Sequence, residues 1–182
     1  EIKDTYGVNA YTTSLRVYTT IDRGKQEAKN RIISGESYAW LNDALQTGVA
    51  VLNTDNGAIL AIGAGRYRTG LNSFNYATQM KKQPGSTAKP LFDYGPGIEY
   101  NNWSTGHPFN DAPYTYSNGV SIKNWDGGYF GNITLRRALS ASRNIPALKA
   151  FQQVKNEKIK EFVTGLGIIP ELCPSGYIYN RS

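Results

Sequence analysis

Cysteine and histidine each occur once in the 182 residues, as Cys173 and His107. A single cysteine excludes an internal disulfide but says nothing about the compartment. Without a histidine partner it reads as inert. His107, in Thr105-Gly106-His107-Pro108, has no second histidine, cysteine or paired carboxylate at metal-ligand spacing, so no metal site and no metal cofactor is expected. No apolar run is long enough to span a bilayer, and no signal peptide is visible. The chain opens on Glu1 without a methionine, so a piece of a longer polypeptide is expected.

Other features are plentiful. Tyrosine occurs 13 times and glycine 19 times, with 40% apolar residues, which suits a globular domain with long ordered loops. The net charge is +6 and the mean hydropathy −0.47. Such a balance permits an anionic partner. The basic residues are scattered, however, and only Lys81-Lys82 and Arg136-Arg137 are adjacent. They read as solvated surface, and no nucleic-acid partner is expected.

Taken in order, Ser14–Ile21 alternates and is β-rich, so it reads as a strand. From Arg23 to Leu45 apolar residues recur at three and four, which predicts helix with a break near Gly35. Gly48–Leu52 and Ala58–Ile62 flank an Asn56-Gly57 turn and should pair antiparallel. After Ile98 about thirty residues read as an irregular, aromatic-rich loop, fit for a cleft wall. Thr134 should cap a helix over Leu135–Ala141, Ser142-Arg143-Asn144 a turn, and Pro146 the opening of a further helix. Asn156 should cap the last helix, Glu157–Leu166, and Pro170–Ser182 reads as loop.

The chemistry points to Gln83-Pro84-Gly85-Ser86-Thr87-Ala88-Lys89-Pro90. Residues three apart on a helix share a face. Pro90 would clash with the carbonyl of Ser86 inside a helix, so the helix should begin near Ser86. A serine hydroxyl becomes a nucleophile when a base takes its proton. Lys89 can be that base if burial and the positive end of the helix lower its pKa. Ser-x-x-Lys alone is a weak signal. Ser142-x-Asn144, 56 residues after Ser86, adds a second hydroxyl for proton relay and an amide able both to donate and to accept.

These stretches together resemble the transpeptidase domain of bifunctional (class A) penicillin-binding proteins of Gram-positive bacteria. The resemblance also takes in Thr19-Thr20-Ile21-Asp22, the Ala50–Gly65 hairpin, Asn75-Tyr76-Ala77-Thr78-Gln79, Asn124-Trp125-Asp126, Gly131-Asn132-Ile133-Thr134-Leu135 and Gly165-Leu166-Gly167-Ile168. It implies an α/β (α+β) fold of the β-lactamase/transpeptidase type, an antiparallel sheet packed between helices. Residues 1–22 would be a lead-in strand from an upstream domain, and 23–182 the N-terminal part of the transpeptidase domain. It implies a serine-type D-Ala-D-Ala transpeptidase acting on peptidoglycan stem peptides and acylated by β-lactams. Ser86 would be the nucleophile, Lys89 its base and Ser142 the relay. Asn144 and Trp125 would bind substrate. No cofactor is implied. The place would be the outer face of the cytoplasmic membrane.

The family's third motif, Lys-Thr-Gly on a later strand, is absent, since no lysine here is followed by Thr-Gly or Ser-Gly. That strand supplies one wall of the site and one oxyanion donor, and losing one such donor costs about 10²–10³ in rate. The remainder of the domain is therefore expected as a partner, and low activity is expected of residues 1–182 alone. A non-catalytic scaffold that binds wall peptide or a partner protein is an alternative. A β-lactamase-like hydrolase is another, and it would need Glu157 or Glu161 to activate water.

Overall fold

In the computed structural model, residues 2–67, 70 and 73–169 are described, with backbone alone at Leu172–Cys173 and Gly176–Tyr177. The chain forms two compact units, Glu1–Lys81 and Lys82–Ser182.

The first unit begins with a short exposed helix, α1 (Ile2–Tyr6). Ser14–Ile21 does not form the expected strand. Leu15, Val17 and Tyr18 are all exposed, so this segment buries no apolar face, and strand propensity is largely a fit to a half-buried surface. Only its end engages the sheet: the Thr20 hydroxyl donates to the Ile59 carbonyl (2.6 Å), and the Asp22 N–H to the Leu60 carbonyl (2.8 Å).

Helix α2 (Arg23–Ser34) is capped by the Asp22 carboxylate, which accepts from the Lys25 N–H. It ends at Gly35, whose φ of 90° a side chain would resist. The expected continuation to Leu45 is not helical. Arg66, buried, claims that segment instead. Its guanidinium donates to the carbonyls of Asn42 (3.0 Å) and Leu45 (3.2 Å) and lies 4.7 Å from the Trp40 ring.

Strands β1 (Val49–Leu52) and β2 (Ile59–Gly63) pair antiparallel, as the Asn-Gly turn predicts. The Gln26 amide both donates to and accepts from the Ile62 backbone, which ties α2 to β2. Gly63 admits the Ile33 side chain where a Cβ would collide with it.

The second unit holds the candidate site. Gly85–Ala88 is a 3₁₀ turn, Lys89–Tyr94 a π-turn, and α3 (Gly95–Asn101) follows. Pro90 explains the sequence of forms. It has no N–H for the Ser86 carbonyl, which accepts from the Lys89 N–H instead. The next turn then widens, with the Gly95 N–H reaching the Pro90 carbonyl.

The stretch read as an irregular loop contains four strands or their partners. β3 (Pro108–Asp111) pairs with β6 (Gly131–Thr134), and β4 (Tyr114–Thr115) with β5 (Ser121–Ile122). Runs this short carry too little alternation to read, and the β3–β6 pair is closed across a long connection. Helix α4 (Leu135–Ser140) has Thr134 as its cap, as the sequence predicts, and α5 (Asn144–Gln152) opens two residues before Pro146, which sits in its first turn, so Asn144 is helical. Helix α6 (Asn156–Gly165) begins at Asn156 itself, with Lys155 in the cap position. The backbone of Leu172–Cys173 (β7) pairs with Gly176–Tyr177 (β8), inside what was read as loop.

Tyr94, Phe109, Leu135, Ala138, Ala147 and Ala150 form the core, with Trp103, Ile133 and Leu139 against it. His107 stacks on Trp103 at 4.5 Å between ring centres, which accounts for it as packing. Gly97 is buried beneath the Trp103 ring, and a Cβ there would overlap the indole. Overpacking of this kind costs about 1–3 kcal/mol, against about 1 kcal/mol gained in helix propensity. Gly97→Ala is therefore expected to lower the urea midpoint of unfolding, and an unchanged or higher midpoint would contradict the packing described.

Candidate active site

The site is built around Lys89. The 3₁₀ turn carries Ser86 one turn earlier in the chain, and residues three apart nearly eclipse in that helix. The turn between α4 and α5 supplies Ser142 and Asn144. The Lys89 ammonium donates to the Ser142 carbonyl (2.7 Å), the Ser142 hydroxyl (3.1 Å) and the Asn144 Oδ1 (2.7 Å). An ammonium has three protons, and here each has an acceptor.

Lys89 is 6% exposed, whereas Ser86 is exposed. Among the described residues, no hydrogen bond joins the Ser86 hydroxyl to Lys89. The structure therefore unites Lys89, Ser142 and Asn144 and leaves Ser86 one turn away, free to face a ligand. Trp125, at 75% exposure, lies along the same turn, and its indole N–H donates to the Ala141 carbonyl (3.3 Å).

The electrostatics follow from burial. Desolvation lowers the Lys89 pKa below the usual lysine value, the Arg143 charge lowers it further, and Asp93 opposes both. Asp93, one turn beyond Lys89, is pushed up to about 7 by its own burial, with Lys89 pulling it down. Neither Asp93 nor Arg143 was marked by the sequence reading. Arg143 merely occupies the variable place in Ser-x-Asn, and an isolated aspartate on a helix carries no pattern.

The turn is built with care for its polar groups. Ser142 has a φ of 51°, uncommon for a residue with a Cβ. Its N–H and that of Arg143 are satisfied by the carbonyls of Leu139 and Ala138 (both 2.9 Å). Arg143 is completely buried, between Asp111 (2.7 Å) and Asp126 (2.8 Å). Glu157 and Glu161 are exposed on α6, and Glu161 is paired with Lys158 at 2.7 Å. Among the described residues no cluster of His, Cys, Asp and Glu could hold a metal, and no helix is long and apolar enough to cross a membrane. The Cys173 side chain lies outside the described residues.

Residues 47–168 match the penicillin-binding protein transpeptidase domain. The chain belongs to that family. Penicillin-binding protein 1A/1B of Bacillus subtilis is 46% identical over 168 residues, covering 92% of this chain and 18% of the relative. Penicillin-binding protein 1A of Streptococcus pneumoniae is 37% identical, covering 92% and 24%. The chain thus spans about a fifth of the length of these relatives. Among solved structures, a penicillin-binding protein of Mycobacterium tuberculosis in complex with penicillin V superposes with a TM-score of 0.78 at 23% identity, covering 94% of this chain and 45% of that one. The transpeptidase-like α/β fold expected from the sequence is therefore the fold of this domain.

A titration test follows from Asp93. A carboxyl whose folded pKa is raised binds its proton more tightly in the native state than in the unfolded one. Stability is then greatest below the ordinary carboxylate value and falls as pH rises from about 4 to about 7. Asp93→Asn is expected to remove that fall, seen as a smaller loss of Tm between pH 5 and pH 7.5. Identical slopes for both proteins would show that Asp93 titrates normally.

Proposed function

We propose that this transpeptidase domain carries out peptidoglycan D,D-transpeptidation with Ser86 as nucleophile and Lys89 as base. The observation that carries the reading is the meeting of buried Lys89 with Ser142 and Asn144, 53 and 55 residues later in the chain. Burial lowers the pKa of Lys89, which favours its role as the base that takes the proton from Ser86. The Ser86 oxygen then bonds to the carbonyl carbon between the two terminal D-alanines of a stem peptide. The proton passes from Lys89 through the Ser142 hydroxyl to the departing amine, and the peptide C–N bond breaks. An amino group of a neighbouring stem attacks the ester and forms a new C–N bond, the ester C–O bond to Ser86 breaks, and the amine proton goes to the Ser86 oxygen.

In this reading Asn144 holds the substrate amide, and Trp125 lines the acceptor side. β-Lactams stop the cycle at the acylated serine. The work is done at the outer face of the cytoplasmic membrane, on stem peptides of the wall. Residues 23–182 serve as the N-terminal part of the domain behind a lead-in from upstream, and the strand bearing Lys-Thr-Gly completes the cleft. The exposed Ser86, without a bond to Lys89, supports a second reading for residues 1–182 taken alone: they bind wall peptide without turning it over.

A fluorescent penicillin tests both. In the polypeptide that carries residues 1–182 in the cell, labelling is expected, with loss on Ser86→Ala and a fall of about 10²–10⁴ in rate on Lys89→Ala. Residues 1–182 alone are expected to remain unlabelled. Labelling that survives Ser86→Ala would overturn the assignment of the nucleophile, and rapid turnover of a chromogenic cephalosporin would favour a hydrolase.

A further inference from the structure

Resting on that reading of the site, we propose that Asn124 and the buried Asp111–Arg143 pair are positioning residues, which hold the Ser142–Asn144 turn in the one geometry that grips Lys89. None of the three side chains touches the Lys89 ammonium. Asn124 and Asp111 act through the backbone and the amide of the turn, and Arg143 adds its charge to the same hold.

Asn124 stands at the centre. Its Oδ1 accepts from the backbone N–H of Asn144 (2.8 Å) and of Ile145 (3.4 Å). These are first-turn N–H groups of α5, which have no partner within the helix. Its Nδ2 donates to Asp111 Oδ1 (2.7 Å) and to the Gly128 carbonyl (2.9 Å). Asp111 accepts on its other oxygen from Arg143 Nε (2.7 Å) and the Phe130 N–H (3.0 Å). Arg143 also donates to Asp126 and to the Gly128 carbonyl, and its guanidinium lies 4.0 Å from the Phe130 ring. The neighbouring Lys123 carbonyl accepts from Asn144 Nδ2 (2.9 Å), which leaves Asn144 Oδ1 turned to Lys89.

Stability is a poor explanation for this arrangement. A buried ion pair gains little over apolar packing of the same volume. What it does fix is orientation. Each bond is directional, and the turn they hold includes a residue in left-handed backbone. A turn that slid by about 1 Å would draw the acceptors away from Lys89, and a misplacement of that size costs about 10²-fold in rate. It would also let water reach the ammonium. The charged groups acting on Lys89 are Asp93 from its own helix and Arg143 from the turn.

The test reads Lys89 directly. In the complete polypeptide, ¹³Cε-lysine NMR gives the Lys89 titration without any turnover, and penicillin acylation gives the rate. Asn124→Ala is expected to shift the Lys89 midpoint and to slow acylation by about 10²-fold, while the fraction of protein labelled at saturation is retained. Arg143→Lys keeps the buried charge but cannot reach both carboxylates and the Gly128 carbonyl, and it should shift the midpoint as well. A folded Asn124→Ala protein with an unmoved Lys89 midpoint overturns the proposal. If neither variant melts cooperatively, the network is a folding element and the proposal also fails. Wild-type protein that resists acylation while its Lys89 midpoint still moves in Asn124→Ala would refute the nucleophile and leave the positioning role standing.

Discussion

A buried ammonium with three acceptors is the constraint on which the second unit depends. Lys89 is nearly inaccessible, and removing an ammonium from water is unfavourable unless its donors are met. The Ser142 carbonyl, the Ser142 hydroxyl and Asn144 Oδ1 meet them. Those three atoms come from one turn between α4 and α5. The helices, the core beneath them and the polar network behind them all have to place that turn within hydrogen-bond reach. The same burial that demands the acceptors depresses the lysine pKa, so structure and chemistry share one cause.

The backbone around the lysine is irregular for a reason visible in its residues. Pro90 deprives the Ser86 carbonyl of an α-helical partner, which forces a 3₁₀ bond to Lys89 and a wider turn after it. The tighter turn nearly aligns Ser86 with Lys89 along the helix axis. The wider one sends Tyr94 into the core, edge-on to Phe109. Helix forms of this sort are often found at functional sites, and here one proline accounts for both.

Much of the fold was legible where the signal was local. The Asn-Gly hairpin, the Thr134 cap and the stop at Gly35 each depend on a few adjacent residues, and each appears where expected. The misreadings share an opposite character. Ser14–Ile21 alternates like a strand but has no apolar surface to cover, so it stays exposed and unpaired as a strand. Residues 36–45 have helical spacing, but they are held as an irregular segment around buried Arg66, which lies far away in sequence. β3 and β6 are each four residues long, and only their pairing makes them strands.

Motifs in the chain are enough to name the family and to nominate Ser86, Lys89, Ser142, Asn144 and Trp125 as candidates. Motif order and spacing are one-dimensional properties, and the match over residues 47–168 agrees with them. Only tertiary structure decided how those residues relate. It brought Lys89 to Ser142 and Asn144 while Ser86 stayed at the surface, and it drew Asp111, Asn124 and Arg143 into one buried network. Each member of that network is an ordinary polar residue until it loses water. Desolvation, which gives such bonds their weight, comes into being with packing and has no counterpart in a string of residues.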